Sequence, residues 1–182
     1  MGFLVLTACA EAGKPGTRPA DASTKLDAAP PGDAKSDAMN SDVCTSNASC
    51  AAATDLGSVS GDTGADMVTA SGYQAAWYKV RVTEDDSGPL GVKLQVTAHL
   101  TSPASENYDV FLYINTGNDV IECATPSGTA STSGTTDTIS VKWGEGTFAN
   151  GTDDSRTASI EIRPIGTTCS SGQPWQLTVN GD

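Results

Sequence analysis

The sequence predicts an all-β protein built as a single antiparallel β-sandwich or jelly roll of about eight strands. Short apolar alternations recur between residues 54 and 181, and turn-forming Gly, Asn, Asp and Ser residues separate them. No stretch shows a convincing helical period. Residues 44–182 are long enough for one well-buried domain and too short for two ordinary ones. Short, evenly punctuated strands are typical of sandwiches and jelly rolls.

The run at residues 107–115 is the densest apolar and aromatic segment of the predicted domain. As a strand, it places Tyr108, Val110, Leu112 and Ile114 on one face and Asp109, Phe111 and Tyr113 on the other. A strand that is apolar on one face and half apolar on the other belongs in the middle of a sheet. A half-buried carboxylate needs hydrogen-bond donors, so we expect Asp109 to bind loop amides.

The other strands are predicted at residues 55–62, 77–83, 91–100, 118–123, 139–143, 158–163 and 175–179. Residues 124–136 and 144–155 are predicted loops. The alternation places Trp143 and Trp175 in the core, turns His99 outward and leaves Trp77 on the face opposite Tyr78. Trp77 and Tyr73 are therefore the candidate ligand-binding aromatics, because exposed rings are the groups on which sugars stack.

Two segments are expected before the domain. The apolar run within residues 1–8 is far shorter than the roughly 20 residues that span a bilayer. Residues 1–8 are therefore predicted to be a residual signal peptide rather than a membrane span. Residues 9–43 are predicted to be a lipidated cysteine followed by a disordered tether. The tether is rich in Ala, Pro and Asp and has almost nothing to bury. Treated as a flexible coil, its r.m.s. span is about 35 Å.

The residues Leu6, Thr7, Ala8 and Cys9 resemble the bacterial lipobox. The resemblance implies that Cys9 carries the lipid and becomes the first residue of the mature protein. With Ala10 following the cysteine, it also implies an outer-membrane destination. We therefore expect a membrane partner through the lipid anchor, and a location at the cell envelope, as an outer-membrane lipoprotein or on the extracellular surface.

The four remaining cysteines are an even number, as expected for disulfides in an exported domain. The expected pairs are Cys44 with Cys50 and Cys123 with Cys169. The sequence does not predict a zinc site, because the chain has no CxxC motif and has only one histidine.

The chain is acidic, with a formal net charge of −12. Such a surface disfavours nucleic acid and anionic lipid headgroups, which are bound by Lys and Arg. Solubility is one explanation of the acidity, and attraction of divalent cations is the other. Calcium is the one candidate cofactor, with Asp62, Asp66, Asp153 and Asp154 in loops as candidate ligands.

The sequence does not predict an enzyme. It contains no Gly-x-Ser-x-Gly motif, and its one histidine leaves no Ser/His/Asp set. No glycine-rich loop leads into a helix to cradle phosphate. The sequence leaves open the interpretation that two carboxylates are paired for glycoside hydrolysis. However, most acidic residues lie in predicted turns, where a solvated charge is usual.

Four segments in order, LGSVSGD at 56–62, WYKV at 77–80, YDVFLY at 108–113 and WQLTV at 175–179, resemble the bacterial pre-peptidase C-terminal domain. The resemblance implies a small β-sandwich or jelly roll of the kind appended to secreted proteases and other exported enzymes. Together with the tether, the chain looks like short lipoproteins of myxobacteria. Members of the family have been linked to substrate polymers, calcium or secretion.

The expected function is therefore a non-catalytic exported lipoprotein whose sandwich binds or displays an extracellular protein or polysaccharide at the envelope. An accessory module to a separately encoded protease or other hydrolase is one alternative. A structural envelope protein is the other. We expect a monomer.

Overall fold

The computed structural model describes residues 49–86, 88–145, 151–166 and 172–181. Its strands are β1 Thr54–Ser60, β2 Met67–Gly72, β3 Ala76–Thr83, β4 Leu94–Thr101, β5 Tyr108–Tyr113, β6 Gly128–Ala130, β7 Thr136–Trp143, β8 Arg156–Pro164 and β9 Trp175–Asn180. One 3-10 turn, Cys50–Ala52, precedes β1. The predicted leader and tether, with Cys9, Cys44 and Cys169, lie outside the described residues.

Two sheets pack face to face, which confirms the predicted all-β sandwich. The five-stranded sheet has the order β1-β3-β8-β5-β6, and the four-stranded sheet has the order β2-β9-β4-β7. Neighbouring strands are antiparallel except β1 and β3, which run parallel. Because β2 and β7 belong to one sheet while β1, β3, β6 and β8 belong to the other, the chain crosses between the layers several times.

The core lies between the sheets and follows the predicted alternation. The strand at 107–115 becomes β5, which lies between β8 and β6 as expected of a central strand. Tyr108, Val110 and Leu112 are each no more than 1% exposed. Trp143 and Trp175 are also buried. Burial of alternate apolar side chains on both inner faces is the main source of stability in such a sandwich.

The predicted strand at residues 118–123 is wrong, because side chains there bind the local backbone. Asn115 Oδ1 accepts hydrogen bonds from the backbone N–H groups of Gly117 and Asn118. Glu122 Oε1 likewise accepts from the three following amides, at Cys123, Ala124 and Thr125. These local bonds replace those of a strand ladder. Residues 114–127, the β5–β6 loop, therefore form no strand.

Two strands were not predicted. β2 is an edge strand that pairs with β9 along its whole length. Its outward residues Met67, Thr69 and Ser71 are exposed and its inward ones are modest in size, so the apolar alternation is weak. β6 has only three residues and lies in the predicted 124–136 loop. In neither segment do apolar and polar residues alternate clearly enough to predict a strand without knowing its partner strand.

The predicted disulfide pairing is wrong: Cys50 is bonded to Cys123, with a Cα–Cα distance of 5.9 Å. Cys50 begins the 3-10 turn before β1, and β1 lies beside β3. The β5–β6 loop is held to β3 by an ion pair between Arg81 Nη1 and Asp119 Oδ1, 2.6 Å apart. The fold thus brings two distant segments together, whereas the prediction favoured Cys44 as the partner of Cys50.

Candidate functional site

The outer face of the five-stranded sheet carries a cluster of aromatic and charged side chains. Inward residues of β3, β5 and β8 fill the core, so the alternate residues point away from it. The register places Trp77 opposite Glu161, and Glu161 opposite Phe111. These three residues form one row across three strands. The Trp77 face is defined here as Trp77, Phe111, Tyr113, Glu161 and Arg163.

Ring contacts and charge-assisted hydrogen bonds organise the Trp77 face. The Trp77 and Tyr113 rings are tilted by 33°, with centroids 5.1 Å apart. Arg163 donates to both oxygens of Glu161, at 3.2 Å from Nε and 2.7 Å from Nη2. Its guanidinium also lies over the Phe111 ring, 4.2 Å from the centroid. Ion pairing and a cation–π contact therefore fix the charged groups beside the aromatic ones.

The Tyr113 hydroxyl completes this network. It donates a hydrogen bond to Glu161 Oε2 at 2.6 Å. Burial and that bond raise the pKa of Tyr113 to about 12. The bond to Glu161 also raises the pKa of Arg163. The Tyr113 phenol is therefore neutral at neutral pH, and its hydroxyl is already bound to Glu161.

The pH dependence of Tyr113 gives a direct test of this network. Because the pKa of Tyr113 is higher in the folded protein than the ordinary value of about 10, its contribution to stability is complete below that pH. The contribution is lost as the pH rises through about 12. We expect an alkaline absorbance titration at 295 nm to lose a transition near pH 12 in Tyr113→Phe. In Glu161→Gln, the same transition should move toward 10. If Tyr113→Phe instead loses a transition near pH 10 and keeps the one near pH 12, the raised pKa does not belong to Tyr113.

The two predicted ligand-binding aromatics lie in different places. Trp77 is on the outer face as expected, half-buried rather than free because it packs on Tyr113. Tyr73 is 48% exposed and lies between β2 and β3. It borders a separate groove, which Gln74 and Trp175 also line and Trp77 does not. The structure therefore places Trp77 within a larger cluster and leaves Tyr73 outside it.

Three of the four predicted calcium ligands bind other groups in the structure. Asp62 accepts hydrogen bonds from the amides of Asp85 and Asp86. Asp154 forms an ion pair with Arg156 at 3.1 Å. Of the other two, Asp153 has hydrogen-bond donors and Asp66 faces solvent. Hydrogen bonds from Ser155 lower the pKa of Asp153, while Asp66 is exposed.

Loops that carry these acids do meet. Glu84, in the connection after β3, accepts a hydrogen bond from the Asp154 amide at 2.6 Å. The Glu84 amide in turn donates to Ser155 Oγ at 2.9 Å. Within the described ranges, however, no three His, Cys, Asp or Glu side chains are placed to hold a metal ion. The acidic loops are thus held by backbone amides and by Arg156.

Sequence reasoning singled out only Trp77 from the Trp77 face. Glu161 and Arg163 lie in the strand predicted at 158–163, and Phe111 and Tyr113 were placed opposite the core face of their strand. What was missing was the register that aligns β3, β8 and β5, which are not consecutive in sequence.

In the described part of the chain, no helix is long and apolar enough to cross a membrane.

Comparisons with known proteins do not assign the chain to a family. No protein-family model matches it, and no curated protein matches it in sequence. The likeness to the pre-peptidase C-terminal domain remains a hypothesis that rests on the four quoted segments.

Proposed function

We propose that this protein is a non-catalytic, exported lipoprotein whose sandwich domain binds a polysaccharide at the cell envelope through the Trp77 face. The observation that carries the proposal is the half-buried Trp77 ring, stacked on Tyr113 and bordered by the Glu161–Arg163 pair. The lipobox-like residues that end at Cys9 support the cellular location.

The chemistry of a sugar matches this arrangement. The apolar face of a pyranose ring stacks on an aromatic side chain, and its hydroxyl groups take hydrogen bonds from fixed polar neighbours. Tyr113 supports Trp77 from beside it, so the indole loses little freedom when a ligand binds. Glu161 and Arg163 are already fixed by each other and can offer acceptors and donors to hydroxyl groups without being left unpaired.

Replacement of Trp77 tests the proposal. The full chain should co-sediment with at least one of three purified polymers: peptidoglycan, chitin or cellulose. We expect Trp77→Ala to weaken that binding by about tenfold or more, since truncating an aromatic anchor typically costs about 1.4 kcal/mol or more. Trp77→Phe should retain part of the affinity, because a ring remains to stack.

Tyr73→Ala is the matched control, because Tyr73 is an exposed aromatic residue outside the Trp77 face. It should bind as the wild-type protein does. Circular dichroism and thermal melting check that each variant folds. Two results would overturn the proposal: no binding to any of the three polymers, or equal binding by wild type and Trp77→Ala.

A further inference from the structure

Three buried side-chain oxygens, two of them at the start of β5 and one in β7, have no hydrogen-bond partner in the part of the chain that the structure describes. They are Asn107 Oδ1, Asp109 Oδ1 and Asp137 Oδ2. Asp109 and Asp137 are only 5% and 2% exposed. Buried carboxylate oxygens without partners are rare in proteins, because they lose the hydrogen bonds of water and gain none in return.

The segment after β6 connects these residues. Asn107 Nδ2 donates to the Thr132 carbonyl at 2.8 Å. Thr132 donates to Asp137 Oδ1 twice, from its amide at 3.0 Å and from its hydroxyl at 2.7 Å. One Asp137 oxygen is therefore held by Thr132 while the other is left without a partner. Asp109 was expected to bind loop amides, but among the described residues its Oδ1 has no partner, and the Thr132 amide binds Asp137.

The charges of the two carboxylates act on each other. The carboxylate of Asp137 lies close enough for its negative charge to act on that of Asp109, which is itself buried. Arg163 acts in the opposite direction. However, its guanidinium is bound to Glu161 and stacked on Phe111, and so is already paired. Positive charge near the two carboxylates is thus poorly matched to their combined negative charge.

A polar cleft that is open to solvent lies beside Asn107. Its volume is about 350 Å³, and its lining includes Ser105, Glu106, Asn107, Ser133 and Thr135. Asn107 belongs both to the lining of this cleft and to the set of three residues with an unpartnered oxygen. Glu106, which also lines the cleft, accepts a hydrogen bond from the Tyr108 hydroxyl at 3.3 Å.

We propose that Asn107, Asp109 and Asp137 form a calcium site. The unpartnered atoms are all oxygens, which hard divalent cations prefer, and two belong to carboxylates. Calcium takes six to eight oxygen ligands, so water from the cleft completes its coordination. Since β5 and β7 belong to different sheets, the ion ties the two layers together at one corner of the sandwich. This site is separate from the acidic loops around Asp62.

Calorimetry on the full chain tests the site. After treatment with EDTA and removal of the chelator, titration with CaCl₂ should give a saturable heat, and calcium should raise the melting temperature. Asp109→Asn and Asp137→Asn should each weaken binding roughly tenfold or more, because calcium affinity follows the number of charged ligands. Both changes keep the shape of the side chain.

Asp62→Asn is the matched control and should bind calcium as the wild type does. Circular dichroism shows whether each variant is folded. If one does not fold, Asn107→Ala, at the edge of the cleft, gives a second test and should also weaken binding. The proposal is overturned if the wild type gives no heat and melts at the same temperature in calcium and in EDTA. It is also overturned if Asp62→Asn abolishes binding while Asp109→Asn keeps it.

Discussion

Loss of the Cys50–Cys123 bond is expected to lower the free energy of unfolding by about 4 kcal/mol. The two cysteines are 73 residues apart in sequence, so their bond closes a long loop. In the chain-entropy model, such a cross-link stabilises the fold by restricting the unfolded chain, and the effect grows slowly with loop length. The measurement is guanidinium denaturation of the full chain, comparing the wild type with the Cys50→Ser/Cys123→Ser double variant.

The double variant is preferable to a single one, because a single change leaves a free thiol that can exchange with other cysteines. Arg81→Ala is the control for the same region. It removes the ion pair to Asp119 and leaves the disulfide in place. Because that pair is partly exposed, its loss should cost no more than about 1 kcal/mol. A loss below about 1 kcal/mol in the double variant, or peptide mapping that links Cys50 to Cys44, would contradict the structure.

The core positions could be predicted from the sequence because strand alternation is a local signal. Val110 and Leu112 in β5, and Leu177 and Val179 in β9, are buried as the period of two requires. The same rule placed Trp77 on the outer face. None of these inferences needs to know which strand lies beside which.

The pairing errors have a different origin, because they depend on contacts between distant segments. The predicted strand at 118–123 contains Val120 and Ile121, yet these side chains are 54% and 56% exposed. Side chains at both ends of that segment, Asn115 and Glu122, bind the nearby backbone and hold it as a loop. Composition shows that these residues suit turns, but it does not show that their bonds prevail over the apolar pattern.

The two candidate sites show the same limit. The Trp77 face requires β3, β8 and β5 to be neighbours, and this order is far from their order in sequence. The proposed calcium site joins residues of β5 and β7, which lie in different sheets. The sequence marked Asp109 as an acid inside a strand, but nothing in it indicated Asp137 as its neighbour. The face of the strand on which a residue lies could be predicted, and which residues meet across strands could not.

Replacement of Trp175 by alanine is expected to destabilise the fold by about 4 kcal/mol, at the upper end of the range for single core residues. Trp175 is 0% exposed and begins β9, an inner strand of the four-stranded sheet. Its ring packs on Tyr78 and Tyr108, with centroid distances of 6.0 and 6.5 Å. Its indole N–H donates to the Gln74 carbonyl at 3.0 Å.

Both parts of this environment are lost in Trp175→Ala. The removed ring leaves a cavity between two tyrosines, and the Gln74 carbonyl loses its donor. Gly72 lies so close to the indole that a side chain there would collide with it, which shows how tightly this part of the sandwich is packed. Trp175→Phe keeps much of the volume and loses the hydrogen bond, so it should cost only about 1–2 kcal/mol.

Guanidinium denaturation of the full chain measures these differences, with Trp77→Ala as the matched control. Trp77 is also a tryptophan at a strand position, but it is half-buried on the outer face. Its loss should cost about 1–2 kcal/mol, because it forfeits only part of the apolar burial of Trp175 and its ring contact with Tyr113. Equal destabilisation by Trp175→Ala and Trp77→Ala would mean that the core does not lie between the two sheets as the structure places it.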